Sequence, residues 1–118
     1  LDPRWESLPL LIRTRFADGT LQGIAFAYEH FCLKVLQIVS RRVAVVKPQA
    51  AFFEACGPAG FTALQNIIKA ARSMGLLTIL DSKRGDIAST ATAYAEASFA
   101  GVKHEGRTLP VWNADSLT

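Results

Sequence analysis

One stretch constrains this chain more than any other: Leu76-Leu77-Thr78-Ile79-Leu80-Asp81-Ser82-Lys83-Arg84-Gly85-Asp86-Ile87. Five apolar or β-favouring residues run directly into an acid, a base and a second acid. The apolar run is short, uninterrupted and rich in branched side chains, so it predicts a strand buried on both faces. Buried parallel strands carry their chemistry at the C-terminal end, where the chain leaves the sheet. Asp81 and Lys83 stand at that exit, two residues apart. In extended backbone both side chains point the same way. Opposite charges at the mouth of an apolar strand are paired or functional, because a lone buried charge is costly.

The flanking chain alternates strands with helices. Val43-Ala44-Val45-Val46 reads as a second buried strand ending in Lys47-Pro48. Proline cannot donate to a ladder, so the strand stops there. Lys47 thus holds on its strand the place that Asp81 holds on the next. Between residues 24 and 40 the pattern is helical, with Phe31, Val35 and Ile38 as a stripe that Cys32, Leu36 and Val39 widen. Arg41 and Arg42 just beyond suit its dipole. Leu10 to Phe16 makes one or two helical turns, and Asp18-Gly19-Thr20 is a turn. Ala51 to Ala55 is a connecting turn or short helix. Pro58 then opens a helix to about Ser73, with Phe61, Leu64, Ile68 and Ala71 on one face and Gly75 after its end. Asp86 to about Ala100 reads as another helix, with Asp86 at its N-cap or first turn. Gly101 to Gly106 is a polar connection, and Ala114 to Thr118 leads into a further strand. Leu1-Asp2-Pro3 reads as the exit of a strand.

Strands alternating with helices predict a parallel β/α architecture with right-handed crossovers. No G-x-G-x-x-G fingerprint is present, which favours a barrel over a dinucleotide fold. A complete TIM (β/α)8 barrel takes about 250 residues, and this chain has 118. The expected fold class is therefore α/β: a partial TIM barrel, roughly the first half, forming one domain over residues 1–118.

Half of the residues are hydrophobic and 19% are charged, which is a globular balance. The net charge of +3 suits a small anionic ligand, and the scattered Lys and Arg form no stripe for nucleic acid. No apolar run is long enough to span a bilayer, and no secretion signal is visible. Cys32 and Cys56 form no CxxC pair and have no histidines at metal spacing, so they read as buried free thiols in a reducing cytoplasm. His30 and His104 read as surface residues. That leaves Lys47, Asp81, Lys83 and Asp86: two amines and two carboxylates, without a nucleophilic Ser or Cys beside a His. No ligand cluster supports a metal. The constellation suits proton transfer and charge stabilisation without a cofactor.

Asp81-Ser82-Lys83-Arg84-Gly85-Asp86-Ile87 resembles the D-x-K-x-x-D signature of the orotidine 5'-phosphate decarboxylases, in the KRGDI form of their longer bacterial subgroup. Val45-Val46-Lys47-Pro48-Gln49, Phe52-Phe53-Glu54 and Gly57-Pro58-Ala59-Gly60 resemble that subgroup's second strand and helix. Thr90, Tyr94-Ala95 and Leu1-Asp2-Pro3 extend the likeness over essentially the whole chain. The resemblance implies a cofactor-free decarboxylation of orotidine 5'-monophosphate in a cytoplasmic homodimer. Lys83 would protonate C6, Asp81 would face the substrate carboxylate, and Lys47 would hold the charged array. Asp86, Ile87 and Thr90 would complete a partner subunit's site, and Asp2 would bond the ribose. Three rival readings stand beside it. A Mg²⁺-dependent hexulose-phosphate synthase or ketogulonate-phosphate decarboxylase would use related residues on the same barrel. A truncated copy would only fold or dimerise. Arg84-Gly85-Asp86 could also be read as an adhesion tripeptide, a three-residue match without further support.

Overall fold

The computed structural model describes all of residues 1–118. Its organising strand is β2 (Leu77–Leu80), the middle of a three-stranded parallel sheet between β1 (Val45–Val46) and β5 (Ser116–Leu117). Val45 and Val46 lie opposite Leu77 and Thr78, and Ile79 and Leu80 lie opposite Ser116 and Leu117. Pro48 interrupts the β1 ladder, as proline must, and pairing resumes once, between Gln49 and Asp81. On the other side of β1, the Gln49 amide donates to the Leu1 carbonyl at 3.1 Å, so Leu1-Asp2 runs beside this exit, although no strand forms at residues 1–3.

The sheet is covered on one face, which corrects the expectation of strands buried on both. Leu76, Thr78 and Leu80 are buried against the helices, whereas Leu77 is 52% exposed. Val46 is buried and Val45 exposed for the same reason. Side chains alternate along a strand, and no element of this chain lies over the second face. Val43 and Ala44 precede the strand, although the Ala44 carbonyl still accepts from the Leu77 amide.

Two long helices, α2 (Leu21–Val39) and α4 (Gly57–Ser73), pack together, with the short helices α1 (Leu10–Phe16) and α3 (Ala50–Glu54) against them. Thr20 caps α2 by accepting from the Gly23 amide at 3.0 Å. The buried face of α2 is Ala25, Tyr28, Cys32 and Leu36, at helical spacing. Ile38, expected in the stripe, lies outside it at 68% exposed. Glu29, His30, Lys34 and Gln37 mark the polar side of this helix, and the apolar arc opposite them is broad enough that spacing alone does not single out its buried centre. Helix α4 buries Ala63, Leu64, Ile67, Ile68 and Ala71, while Phe61 turns outward and packs on Trp112 with centroids 5.9 Å apart. Gly60 lets α3 and α4 approach closely: a Cβ there would fall 1.8 Å from the Phe53 carbonyl oxygen. Phe53, Leu36, Leu64, Ile67 and Ile68 are the largest fully buried apolar side chains. Each contributes roughly 1.5–3 kcal/mol of transfer free energy.

Helix α5 (Ala88–Ala95) continues into a π-helical turn, Glu96–Ala100, and stops at Gly101 with φ 87°. Asp86 does not cap it. The N-cap position belongs to Ile87, in extended backbone, and the Asp86 carboxylate accepts from the Ile87 amide at 2.8 Å. The segment expected to be a plain polar connection is an antiparallel hairpin of β3 (Val102–His104) and β4 (Arg107–Leu109). Glu105 and Gly106 both have positive φ, 47° and 74°, as a tight hairpin turn requires. His104 is exposed on β3, and His30 is half-buried on α2 beside Phe16, their rings 5.5 Å apart. Both cysteines are buried and unpaired, as expected. No helix is long and apolar enough to cross a membrane.

Candidate active site

Three parallel segments end at one edge of the sheet, and each brings a polar side chain there. The β2 exit is held from both sides: the Asp81 amide donates to the Pro48 carbonyl at 3.0 Å, and the Asp81 carbonyl accepts from the Ala50 amide at 2.9 Å. On the far side, the Thr118 amide donates to the Leu80 carbonyl at 3.2 Å. Asp115 fixes this alignment upstream, accepting from the Thr78 amide at 2.8 Å and the Thr78 hydroxyl at 3.1 Å.

Asp81 is the hub. It is 5% exposed, yet it carries three donors. The Lys47 ammonium donates to Oδ2, the Lys83 ammonium donates to Oδ1 at 2.9 Å, and the Thr118 hydroxyl donates to Oδ1 at 2.8 Å. These bonds, led by that from Lys47, hold the carboxyl below the usual carboxylate range against the opposing effect of burial. The same bond to Asp81 raises the pKa of Lys47, and the charge of nearby Asp2 adds to it. The lysines are far more open than the acid, with side chains 49% exposed for Lys47 and 76% for Lys83. Both ammonium groups face solvent, where they can meet an anionic ligand.

Extended backbone would carry Asp81 and Lys83 to the same side, and the chain departs from it here. Lys83 has φ 49°, in the left-handed region, although the two side chains do meet. Such a conformation costs a non-glycine residue about 1 kcal/mol or more. The Lys83 amide donates to the Thr118 hydroxyl at 3.2 Å and the Arg84 amide to the Thr118 carbonyl at 2.8 Å, which ties this turn to β5.

Of the residues singled out from sequence, Lys47, Asp81 and Lys83 therefore come together, with Asp2 beside Lys47. Asp86, Ile87 and Thr90 do not join them. All three are exposed on the loop and first turn beyond the exit, where the Asp86 carboxylate binds the Ile87 amide. Two participants carried no spacing signal. Thr118 reaches Asp81 from 37 residues away, and Glu54 pairs with Arg84 across 30.

Residues 23–106 match the model of the orotidine 5'-phosphate decarboxylase / HUMPS family. An orotidine 5'-phosphate decarboxylase of Rhodopirellula baltica is 45% identical over the whole chain, which spans 38% of that relative. One from Myxococcus xanthus is 54% identical over 58% of the chain and 24% of its own length. The structure of Leishmania donovani OMP decarboxylase overlays 79% of this chain at a TM-score of 0.65 and 39% identity, and the chain covers 33% of it. A Toxoplasma gondii crystal structure assigned to the same decarboxylase overlays 98% at a TM-score of 0.73 and 31% identity, and the chain covers 32% of it. The chain thus spans between about a quarter and two-fifths of the length of these proteins and folds as part of their α/β barrel. With the family model covering most of its residues and a relative of this similarity along its whole length, the chain belongs to the orotidine 5'-phosphate decarboxylase / HUMPS family.

Proposed function

We propose that this chain carries part of the catalytic apparatus of an orotidine 5'-phosphate decarboxylase, which converts orotidine 5'-monophosphate to uridine 5'-monophosphate in de novo pyrimidine biosynthesis. The observation that carries the reading is the Lys47–Asp81–Lys83 array, gathered on a buried carboxylate at the exits of two parallel strands.

The chemical task is severe. When the bond from C6 to the carboxylate breaks, its electron pair stays on a vinyl carbon with no conjugated sink. A fixed ammonium stabilises that pair through electrostatics, most strongly where charge develops and water is excluded. Lys83 serves this role and then gives a proton to C6 as carbon dioxide leaves. Asp81, kept anionic by three donors, faces the substrate carboxylate and orients Lys83. Lys47 holds Asp81 from the other side. Asp2, beside Lys47, bonds the ribose. The exposure of Asp86, Ile87 and Thr90 on this chain supports assigning them to the site of a partner subunit in a homodimer. No cofactor is needed in this scheme, because the protein supplies both the charge and the proton.

The test uses a full-length protein carrying this chain. Loss of orotidine monophosphate absorbance in the presence of EDTA is the expected activity, and it separates this reading from a Mg²⁺-dependent sugar-phosphate reaction. Lys83→Ala should lower turnover by several orders of magnitude while leaving uridine monophosphate affinity within a few-fold. Near-normal turnover in that variant would exclude Lys83 as the proton donor.

A further inference from the structure

Lys83 combines two properties that call for a restraint: a left-handed backbone at φ 49° and a side chain mostly in solvent. A non-glycine residue keeps such a conformation where its surroundings over-determine it, and burial does not do so here. The neighbouring Ser82 does not supply the restraint either. Its hydroxyl is buried without a hydrogen-bond partner beside a cavity of about 150 Å³ between the sheet and helices α3, α4 and α5. Arg84 is different. Its guanidinium pairs with Glu54 through Nη2 and donates from Nη1 to the Ser82 carbonyl at 2.8 Å. The Lys83 and Arg84 amides also donate to Thr118, at 3.2 and 2.8 Å, but any residue at 84 keeps those backbone bonds, so what the Arg84 side chain adds is the clamp on Ser82 and Glu54.

These contacts close a ring. Segments 47–54 and 81–84 are joined at one end by the Lys47–Asp81 pair and at the other by the Glu54–Arg84 pair. Between those ends, the Asp81 peptide is bonded in both directions to Pro48 and Ala50. Lys83 sits inside the closed stretch, with Asp81 fixed two residues before it and Arg84 fixed directly after it. We propose that Arg84, anchored by Glu54, is a positioning residue that holds the Lys83 turn in its left-handed form and so keeps the ammonium on Asp81. Its kinetic consequence rests on the decarboxylase reading; its structural consequence does not.

In the full-length protein, Arg84→Met should lower kcat on orotidine monophosphate by about 10- to 100-fold, the scale set by small displacements of a reacting group. KM should stay within threefold, because the affected interaction belongs to the reacting step. Arg84→Lys keeps one of the two guanidinium contacts and should recover at least half of the loss on a logarithmic scale. A residue that merely stabilises the fold would lower the melting temperature and leave kcat per folded molecule unchanged. A crystal structure of Arg84→Met should show Lys83 out of the left-handed region and its ammonium detached from Asp81. The proposal is overturned if Arg84→Met folds with kcat within threefold of the parent, or if Lys83 keeps its backbone and its 2.9 Å contact. Should Arg84→Met not fold, Glu54→Gln carries the same test in a side chain of unchanged shape, and an unaltered kcat there is equally fatal. If the parent protein does not consume orotidine monophosphate, the functional reading fails, and the Lys83 geometry in the variant structure decides the positioning claim by itself.

Discussion

Replacing Asp115 tests how the sheet holds its edge. Its carboxylate accepts from both the amide and the hydroxyl of Thr78, a residue with no exposed surface, and its other oxygen meets Arg72 at 3.1 Å. Asp115→Ala leaves two buried donors on Thr78 without their acceptor. An orphaned buried amide costs about 1–3 kcal/mol. The hydroxyl can rotate toward another acceptor, so it adds about 1 kcal/mol at most. The Arg72 pair is partly exposed and adds about 0–1 kcal/mol. The expected loss is therefore about 1–5 kcal/mol, a large share of the roughly 5–15 kcal/mol that holds a domain together. Asp115→Asn keeps an acceptor for Thr78 and should cost about 1 kcal/mol. Urea denaturation of the full-length variants, followed by far-ultraviolet circular dichroism, gives both numbers. The donation from Thr78 lowers the Asp115 pKa below its ordinary 3.8. Its stabilisation is thus complete above that value and is lost as pH falls below it, so the gap between parent and Ala variant should narrow in strong acid. An Ala variant within 1 kcal/mol of the parent, or no worse than Asn, would refute this account.

Gly60→Ala should destabilise by at least about 2 kcal/mol, because its Cβ meets the Phe53 carbonyl and two backbones must separate. Gly75→Ala, which has open space but φ 77°, should cost only about 1 kcal/mol by the same urea denaturation. The Cys32 thiol is pushed up to about 12 by burial, and burial also raises Cys56. Both should resist a disulfide reagent at pH 8 in the folded protein and react promptly in guanidinium; fast labelling of Cys32 in the native state would contradict the packing of α2.

What the sequence discloses is local. The succession of strands and helices follows from Pro48, Pro58, Gly75 and the apolar runs, each a signal carried within a few residues. The union of Lys47 with Asp81 is legible too, because two parallel strands that end in charges bring those charges to one edge. The rest depends on partners far along the chain. Nothing near Thr118 announces that its hydroxyl serves Asp81, and nothing in Glu54 announces Arg84. Ile38 turns outward because the buried face of α2 centres on Tyr28, Cys32 and Leu36 rather than on the expected stripe. The hairpin at 102–109 escapes notice because its strands are three residues long and exposed throughout, so they carry no buried face to betray a period of two. Asp86 looks like a helix cap from its position, yet the loop after Lys83 stays open for two residues more.

The way Asp81 is seated has a consequence for how such a site can drift. Its peptide is stitched to the neighbouring segment in both directions and its side chain is walled in, whereas both amines reach it along supple, solvent-bathed stems. The anion is the surveyor's benchmark from which both cations are set out. Amide hydrogen exchange at Asp81 should be among the slowest in the chain. Both lysine tips are sited by reference to that one buried point.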